Sequence, residues 1–382
     1  MNNKPRSLLD LESSDNKVQL VLLWFLDVCF FSYSSYYAKW TLKKLTHRGF
    51  TLILVFLLGL VSCVVPEPNG IDSSRPPIAP NLDIVPSNRE RSAPPILGVQ
   101  YTKTIGRTGQ GPAEFLMPMG LALDAYQQLY VADAGNNRIQ VVDTDGFFMT
   151  EYGSYGWREG EFDFPNDVAL NLDTLFVADT GNDRIQYCNL VNRIFYPLIT
   201  TLKKYEFDSP EGIDVGKNGD VYAIDTHNHR WLQFTRNLTP VFAMGSFGSS
   251  REQFWNPTDI VVNSHNTVFV VDSGNNSIKS YDFSGNPIHF WGEEGNALGQ
   301  FRNPKRIALD RWNYLYITDS GNRRIQIFTP EGKAILEFSA KSLLNPCGIA
   351  VSTKGKVYVS DMDAGDIKVF RVIYKKDAEK TE

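Results

Sequence analysis

Cysteine is scarce in this chain: Cys29, Cys63, Cys188 and Cys347 are the only four, and they stand in unrelated surroundings. That number and scatter argue against a disulfide framework. Histidine is nearly as rare, five in 382 residues. Long runs of helix-forming residues are missing as well, crowded out by 29 Gly, 20 Pro, 17 Tyr and 24 Phe. Such a mix disfavours a helical fold and leads us to expect many short strands joined by turns. An excess of positive charge is also absent. Of 38 basic and 43 acidic side chains, 10 and 8 fall within residues 1–96, leaving 28 basic against 35 acidic in the remainder. A surface of that balance attracts phosphate backbones poorly, so no nucleic-acid partner is expected. Apolar material is plentiful: 42 % of residues are hydrophobic and 13 % aromatic, sufficient for a large core.

The first hundred residues read as an address and a tether. Residues 50–65 (FTLILVFLLGLVSCVV) are almost continuously apolar and follow the basic cluster Lys39, Lys43, Lys44, His47 and Arg48. This is the layout of a secretory signal. The segment 50–63 closes on Leu60-Val61-Ser62-Cys63, which resembles a bacterial lipobox, with Cys63 as the acylated residue. An uncleaved membrane helix with an incidental cysteine is the other reading. Residues 1–49 are a poorly defined extension holding a second apolar stretch, Gln19 to Ala38, interrupted by Asp27. Either translation starts further along or there are two spans; the positive loop between them then stays cytoplasmic. Both routes carry the downstream domain across the membrane, so an extracytoplasmic, membrane-anchored protein is expected; the lipobox reading makes it a bacterial lipoprotein, periplasmic or on the cell surface. Residues 64–96, with eight prolines, form a semi-extended tether. A charged tail occupies 375–382.

Between tether and tail the sequence repeats. A strand-like pentapeptide ending in aspartate recurs six times, at Asp133, Asp179, Asp225, Asp272, Asp319 and Asp361, spaced 46, 46, 47, 47 and 42 residues apart. A proline precedes each by 14 or 15 residues: Pro118, Pro165, Pro210, Pro257, Pro304 and Pro346. Three residues before each proline stands Phe115, Phe162, Phe207, Phe254, Phe301 or Leu343. Every period supplies four short strands, the third following a Gly-Asn turn and the fourth rich in aromatics. The fold class is therefore all-β, a six-bladed β-propeller of four-stranded blades over 97–374.

The last repeat ends after its third strand. The missing fourth appears at the front, in residues 99–106 (VQYTKTIG). Gly106 precedes Pro118 by 12 residues, as Gly153, Gly245 and Gly292 precede Pro165, Pro257 and Pro304. Blade six is thus expected to be closed by the N-terminal strand, leaving no open edge.

The string Asp133-Ala-Gly-Asn-Asn-Arg-Ile139 resembles the NHL-repeat consensus, as do Asp179 to Ile185 and Asp319 to Ile325. Blades three, four and six keep the frame with departures: THNHRW, SGNNSI and MDAGDI. The resemblance implies a binding platform, since NHL propellers serve mostly as extracellular sensor domains or as RNA- or protein-binding modules. One branch is an amidating lyase. That branch needs several metal-binding histidines, and this domain has only His227, His229, His265 and His289.

Six copies of one feature describe a scaffold. The repeated aspartates are expected to accept backbone N–H groups at the turns and to pair with Arg138, Arg184, Arg230 and Arg324. Function is sought where the copies disagree. Two residues after the prolines stand Gly120, Asp167, Gly212, Asp259, Arg306 and Gly348; one residue after them, Met119, Asn166, Glu211, Thr258, Lys305 and Cys347. These positions belong at the ring mouth, on the face of the Gly-Asn turns. There Asp167, Glu211, Asp259, Lys305 and Arg306 form a candidate ligand site, or else salt bridges around a channel. His227 and His229 are a chelating pair only if a third ligand converges, and none is visible, so neither metal nor cofactor is expected. Cys188 and Cys347, separated by blade one, are expected to be buried free thiols. Trp157, Trp255 and Trp291, near the linkers between blades, are expected to pack between blades.

The leading reading is a membrane-anchored binding or scaffold module for a protein, peptide or glycan. The alternative is a propeller enzyme of lyase or hydrolase type, using a polar site at the ring mouth whose carboxylates could hold a metal.

Overall fold

A computed structural model describes residues 93–198 and 203–375. The signal segment, Cys63, nearly all of the tether and residues 376–382 lie outside the described residues. Among those described, six four-stranded antiparallel sheets form in chain order. Their first strands, Pro118–Leu123, Pro165–Asn171, Pro210–Val215, Pro257–Val262, Pro304–Leu309 and Pro346–Val351, neighbour one another in a closed circle. This is a six-bladed β-propeller.

The repeat ruler has a physical cause at each mark. The proline opens the innermost strand, where its missing N–H is tolerated, and it pairs with the aspartate that ends the second strand, as in Pro118↔Asp133 and Pro304↔Asp319. In every blade the register slips within the three residues from that proline onward. The aromatic three residues before the proline is fully buried in four blades (Phe115, Phe162, Phe254 and Phe301). The glycine twelve before the proline makes room for that ring. A Cβ on Gly153, whose φ is +86°, would stand 2.2 Å from the Phe162 ring.

Blades pack face to face through alternate residues of their strands. Between blades three and four, for example, Tyr222, Ile224 and Trp231 meet Ile260, Val268 and Tyr281. Burial of each such side chain contributes about 1.5–3 kcal/mol.

Closure is as the repeat register requires. The strand Ile96–Ile105 pairs antiparallel with Asp366–Tyr374, from Ile96↔Tyr374 to Ile105↔Ile367, and completes blade six from both ends of the domain. The pairing is fastened where the strand begins: Tyr374 donates its hydroxyl to Asp310 Oδ2 at 2.7 Å, and the amide of Lys375 donates to Pro95 O at 3.0 Å. That edge is opposite the mouth, so both described ends of the propeller leave from the far face.

Candidate functional site

The mouth face is built on the six repeated turns. Each second strand ends in an aspartate that is fully buried. Asp319 is representative. It accepts the amide of Arg302 at 2.7 Å, Asn322 Nδ2 at 2.9 Å, Arg324 Nε at 2.7 Å and Gln326 Nε2 at 3.0 Å. Arg138, Arg184 and Arg230 make the same pairing with Asp133, Asp179 and Asp225. Blade four has Ser277 in place of the arginine, and Lys279 reaches Asp272 Oδ2 instead, at 2.8 Å. In blade six Asp366 stands at that position and pairs with Lys368, while Asp361 accepts the amides of Leu344, Asn345 and Ala364. These aspartates are scaffold, as the repetition implied.

The turns also link blades. Each of the first five ends on a left-handed residue: Asn137, Asp183, His229, Asn276 and Arg323. Four of these accept the amide of the residue before the next blade's proline, as Asn276 Oδ1 does from Asn303 at 2.8 Å. His229 does so through Nδ1, at 3.3 Å from the amide of Asn256. It is a structural acceptor, and burial and the neighbouring His227 lower its pKa. His227 is exposed, with Nδ1 3.2 Å from Asp208 Oδ1. Among the described residues no cluster of three His, Cys, Asp or Glu is placed to hold a metal.

The five candidate residues separate into a throat and a rim. Asp167, Asp259 and Arg306 are buried in the throat. From blade five, Arg306 spans the ring. One terminal nitrogen bonds the carbonyl of Thr258 in blade four. The other bonds the side chain of Asn166 in blade two, and the carbonyls of Asn166 and Glu211 at 3.1 Å each. Asp167 accepts the amide of Ile213 at 3.0 Å, and Asp259 that of Ile307 at 2.8 Å, so each carboxylate staples its blade to the next. Burial raises both pKa values, Asp259's the more strongly, with Arg306 opposing the rise. Burial also disfavours the charge on Arg306, but Asp167 and Asp259 more than offset that and hold it protonated.

Below this plug lies a channel of about 280 Å³ lined by inner-strand residues, among them Ala169, Asp214, Ile260 and Leu309. Asp214 bonds the amide of Val262 at 2.8 Å. Burial, with a smaller contribution from the nearby Asp167, lifts its pKa to about 7. Sequence reasoning missed Asp214, although the signal was available: the other five inner strands carry alanine or valine at that position.

Glu211 and Lys305 lie partly exposed on the rim. There a further ring of positions, two residues before each proline, carries Leu116, Asp163, Asp208, Trp255, Arg302 and Leu344. Each varies in chemistry while the frame stays constant. Arg302 lays its stem over Gly321 of the blade-five turn, and Trp255 lays its ring over Gly274 of the blade-four turn. Read together with the residue after the proline and the left-handed residue of the turn, this ring divides the face into sectors. Blades two and three are acidic (Asp163, Asp183, Asp208, Glu211). Blade five is basic (Arg302, Lys305, Arg323). Blades six and one are apolar (Leu344, Cys347, Leu116, Met119). The side chains of Arg302, Lys305, Arg323 and Glu211 make no ion pair among the described residues.

Two of the three tryptophans depart from the packing expected of them. Trp157 is 61 % exposed and Trp255 48 %, because both sit on linkers that cross the top of a blade rather than enter its seam. Only Trp291 packs between blades, against Phe269 and Phe328. Cys188 and Cys347 are buried free thiols, with Cys347 Sγ 3.6 Å from Met119 Sδ in the throat.

Comparison with known proteins agrees with this architecture. The NHL repeat family matches residues 207–234 and 254–281. Over 148 residues, 38 % of this chain, the sequence is 26 % identical to the protein brain tumor of Drosophila melanogaster, and the match covers 14 % of that protein. It is 50 % identical over 40 residues to NHL repeat-containing protein 3 of Mus musculus, covering 10 % of this chain and 12 % of that one. The matched stretches are thus small parts of these relatives. Among solved structures, streptogramin B lyase superposes with a TM-score of 0.53 at 14 % identity, over 72 % of this chain and 98 % of its own. A putative gluconolactonase superposes at 0.55 with 11 % identity, over 74 % and 94 %. At such identities the likeness is one of fold. Repeat register and closed ring establish a six-bladed β-propeller, and within it residues 207–234 and 254–281 match the NHL repeat.

Proposed function

We propose that this propeller is a protein-binding scaffold that presents its mouth face to a partner polypeptide. The observation that carries this reading is the span of Arg306 from blade five to acceptors on blades two, three and four. It closes the throat, and a closed throat makes the face a platform for docking rather than an entrance for a small substrate. The exposed Trp157 and Trp255 are side chains of the type that anchors protein interfaces. The test is site-directed photo-crosslinking in the native host. A crosslinking amino acid at Trp255 should capture a discrete partner, and one at the exposed Leu172, on the opposite face, should not. Capture from Leu172 alone would overturn the reading.

The propeller is further proposed to be tethered to a membrane. The apolar run ending at Cys63 supports an anchor and an extracytoplasmic location. Intact-mass measurement of the natively purified protein tests the anchor. A chain beginning at acylated Cys63 is expected; an unlipidated chain retaining earlier residues means a membrane span instead.

One observation favours the alternative of a lyase- or hydrolase-type enzyme: Asp214, whose carboxyl is pushed up to about 7, lines the channel below the throat, where a group of that pKa suits proton transfer. Turnover of a lactone or cyclic peptide that is lost in Asp214→Asn would favour that reading over the scaffold.

A further inference from the structure

The sectors of the mouth face specify what kind of polypeptide it takes. On blade five, Arg302, Lys305 and Arg323 occupy three successive marks of the repeat ruler and all lack a carboxylate partner among the described residues. Three cations grouped without counter-ions raise the local potential and attract negative charge. The adjoining blade-four edge offers Trp255, its ring held over Gly274 and edge-on to Phe247 at 6.3 Å. Beyond Trp255, blades three and two present Glu211, Asp208 and Asp163. Glu211 makes no ion pair among the described residues, and its charge, like those of Asp167 and Asp259, favours the protonated form of Arg306.

A uniform polyanion fits this face badly. Phosphates resting on blade five would continue over the carboxylates of blades two and three, and like-charge juxtaposition is unfavourable. A segment with opposite charge at its two ends meets complementary groups at both.

Building on the scaffold reading above, we infer that the mouth face binds a bipolar peptide segment. Its acidic side chain or C-terminal carboxylate sits on Arg302, Lys305 and Arg323, an apolar side chain rests against Trp255, and a basic group lies over Glu211 and Asp208. Guanidinium forks are suited to bidentate recognition of a carboxylate, which places the acidic end with the greatest geometric specificity.

The test is peptide display on the purified full chain, with random peptides as the probe, followed by fluorescence anisotropy of the selected sequences. The expected peptides carry Asp or Glu towards one end, Lys or Arg towards the other, and an apolar residue between. Binding should weaken about tenfold or more in the variant Arg302→Glu/Lys305→Glu/Arg323→Glu, and an acidic-for-basic exchange within the peptide should weaken it similarly. Trp255→Ala serves as a second, charge-neutral variant and should also weaken binding. Thermal unfolding of each variant checks that the propeller is intact. Three outcomes would overturn the inference. These are selected peptides without the charge pattern, unchanged binding to the reversed-charge variant, and an oligouridylate that binds more tightly than any peptide. Peptides that bind with a different pattern and are lost in Trp255→Ala defeat only the bipolar assignment and leave the scaffold standing. Failure to select any peptide, together with crosslinks only from Leu172, defeats both.

Discussion

A Cβ built on Gly120 would stand 1.9 Å from Oδ1 of Asp167. The charge that blade two sends into the throat therefore occupies space that blade one leaves empty. The same relation recurs two blades on, where a Cβ on Gly212 would meet the Asp259 backbone at 2.7 Å and its carboxylate at 2.8 Å. Alternation of glycine and aspartate around the mouth is a packing condition before it is a chemical one. Gly120→Ala is expected to destabilise the protein by about 1–3 kcal/mol through overpacking. Adding Asp167→Gly should recover part of that loss, a coupling that a double-mutant cycle of denaturant unfolding measures. Additive effects of the two substitutions would contradict the relation.

Blade four offers an exchange of one cation for another. Lys279 compensates the buried Asp272 because Ser277 stands where other blades have arginine. Lys279→Gln restores the residue found in blades one, two and five but leaves Asp272 without a cation, at an expected cost of about 1.5–3 kcal/mol. The double substitution Ser277→Arg/Lys279→Gln rebuilds the arrangement of blade five and should return stability close to that of the parent. Equilibrium urea unfolding separates the two; a double variant as weak as the single one would show that the positions are not interchangeable.

Asp214 gives stability a measurable pH dependence. Its pKa is lifted from 3.8 to about 7. Between those values the folded protein holds a proton that the unfolded chain has released, so this group makes unfolding harder as pH falls from about 8 toward about 4. Asp214→Asn keeps an acceptor for the amide of Val262 and removes the titration. The variant is expected to be the more stable of the two at about pH 8 and to lose that advantage on acidification. Calorimetric Tm values across the range test it, and a difference between the two proteins that does not vary with pH would refute it.

Ring closure is the fourth point of test. Deleting residues 97–106 strips blade six of its outer strand and exposes Val369 and Phe370, both now buried. A Tm fall of roughly 10 °C or more is expected, given about 2–4 °C per kcal/mol in large domains. The milder Tyr374→Phe removes the bond to Asp310 and should cost about 1–3 kcal/mol, since it leaves a buried carboxylate short of a donor. Unchanged thermal unfolding after the deletion would sink the closure account.

Much of the scaffold is legible in the sequence. Proline, the preceding aromatic and the strand-ending aspartate recur because each blade solves the same local problem, and periodic local problems leave periodic residues. The aspartate–arginine pairs and the N-terminal fourth strand follow from that register, as does the position of Asp167, Asp259 and Arg306 near the mouth. What Arg306 does there did not follow. Its partners are 48, 95 and 140 residues away in sequence, and no local pattern announces a contact made across a ring. The exposure of Trp157 and Trp255 was likewise hidden, since a linker over a blade and a linker between blades have the same composition.

By itself the sequence determined the number of blades, their strand order, the closing strand and the residues that hold each turn, because these depend on contacts within one repeat or between neighbouring repeats. Tertiary structure alone decided that the throat is plugged, that Asp214 lies where desolvation raises its pKa, and that the variable positions fall into acidic, basic and apolar sectors. Those properties arise from bringing six distant segments around one axis, where burial and the fields of non-adjacent charges act together, and no single repeat contains them.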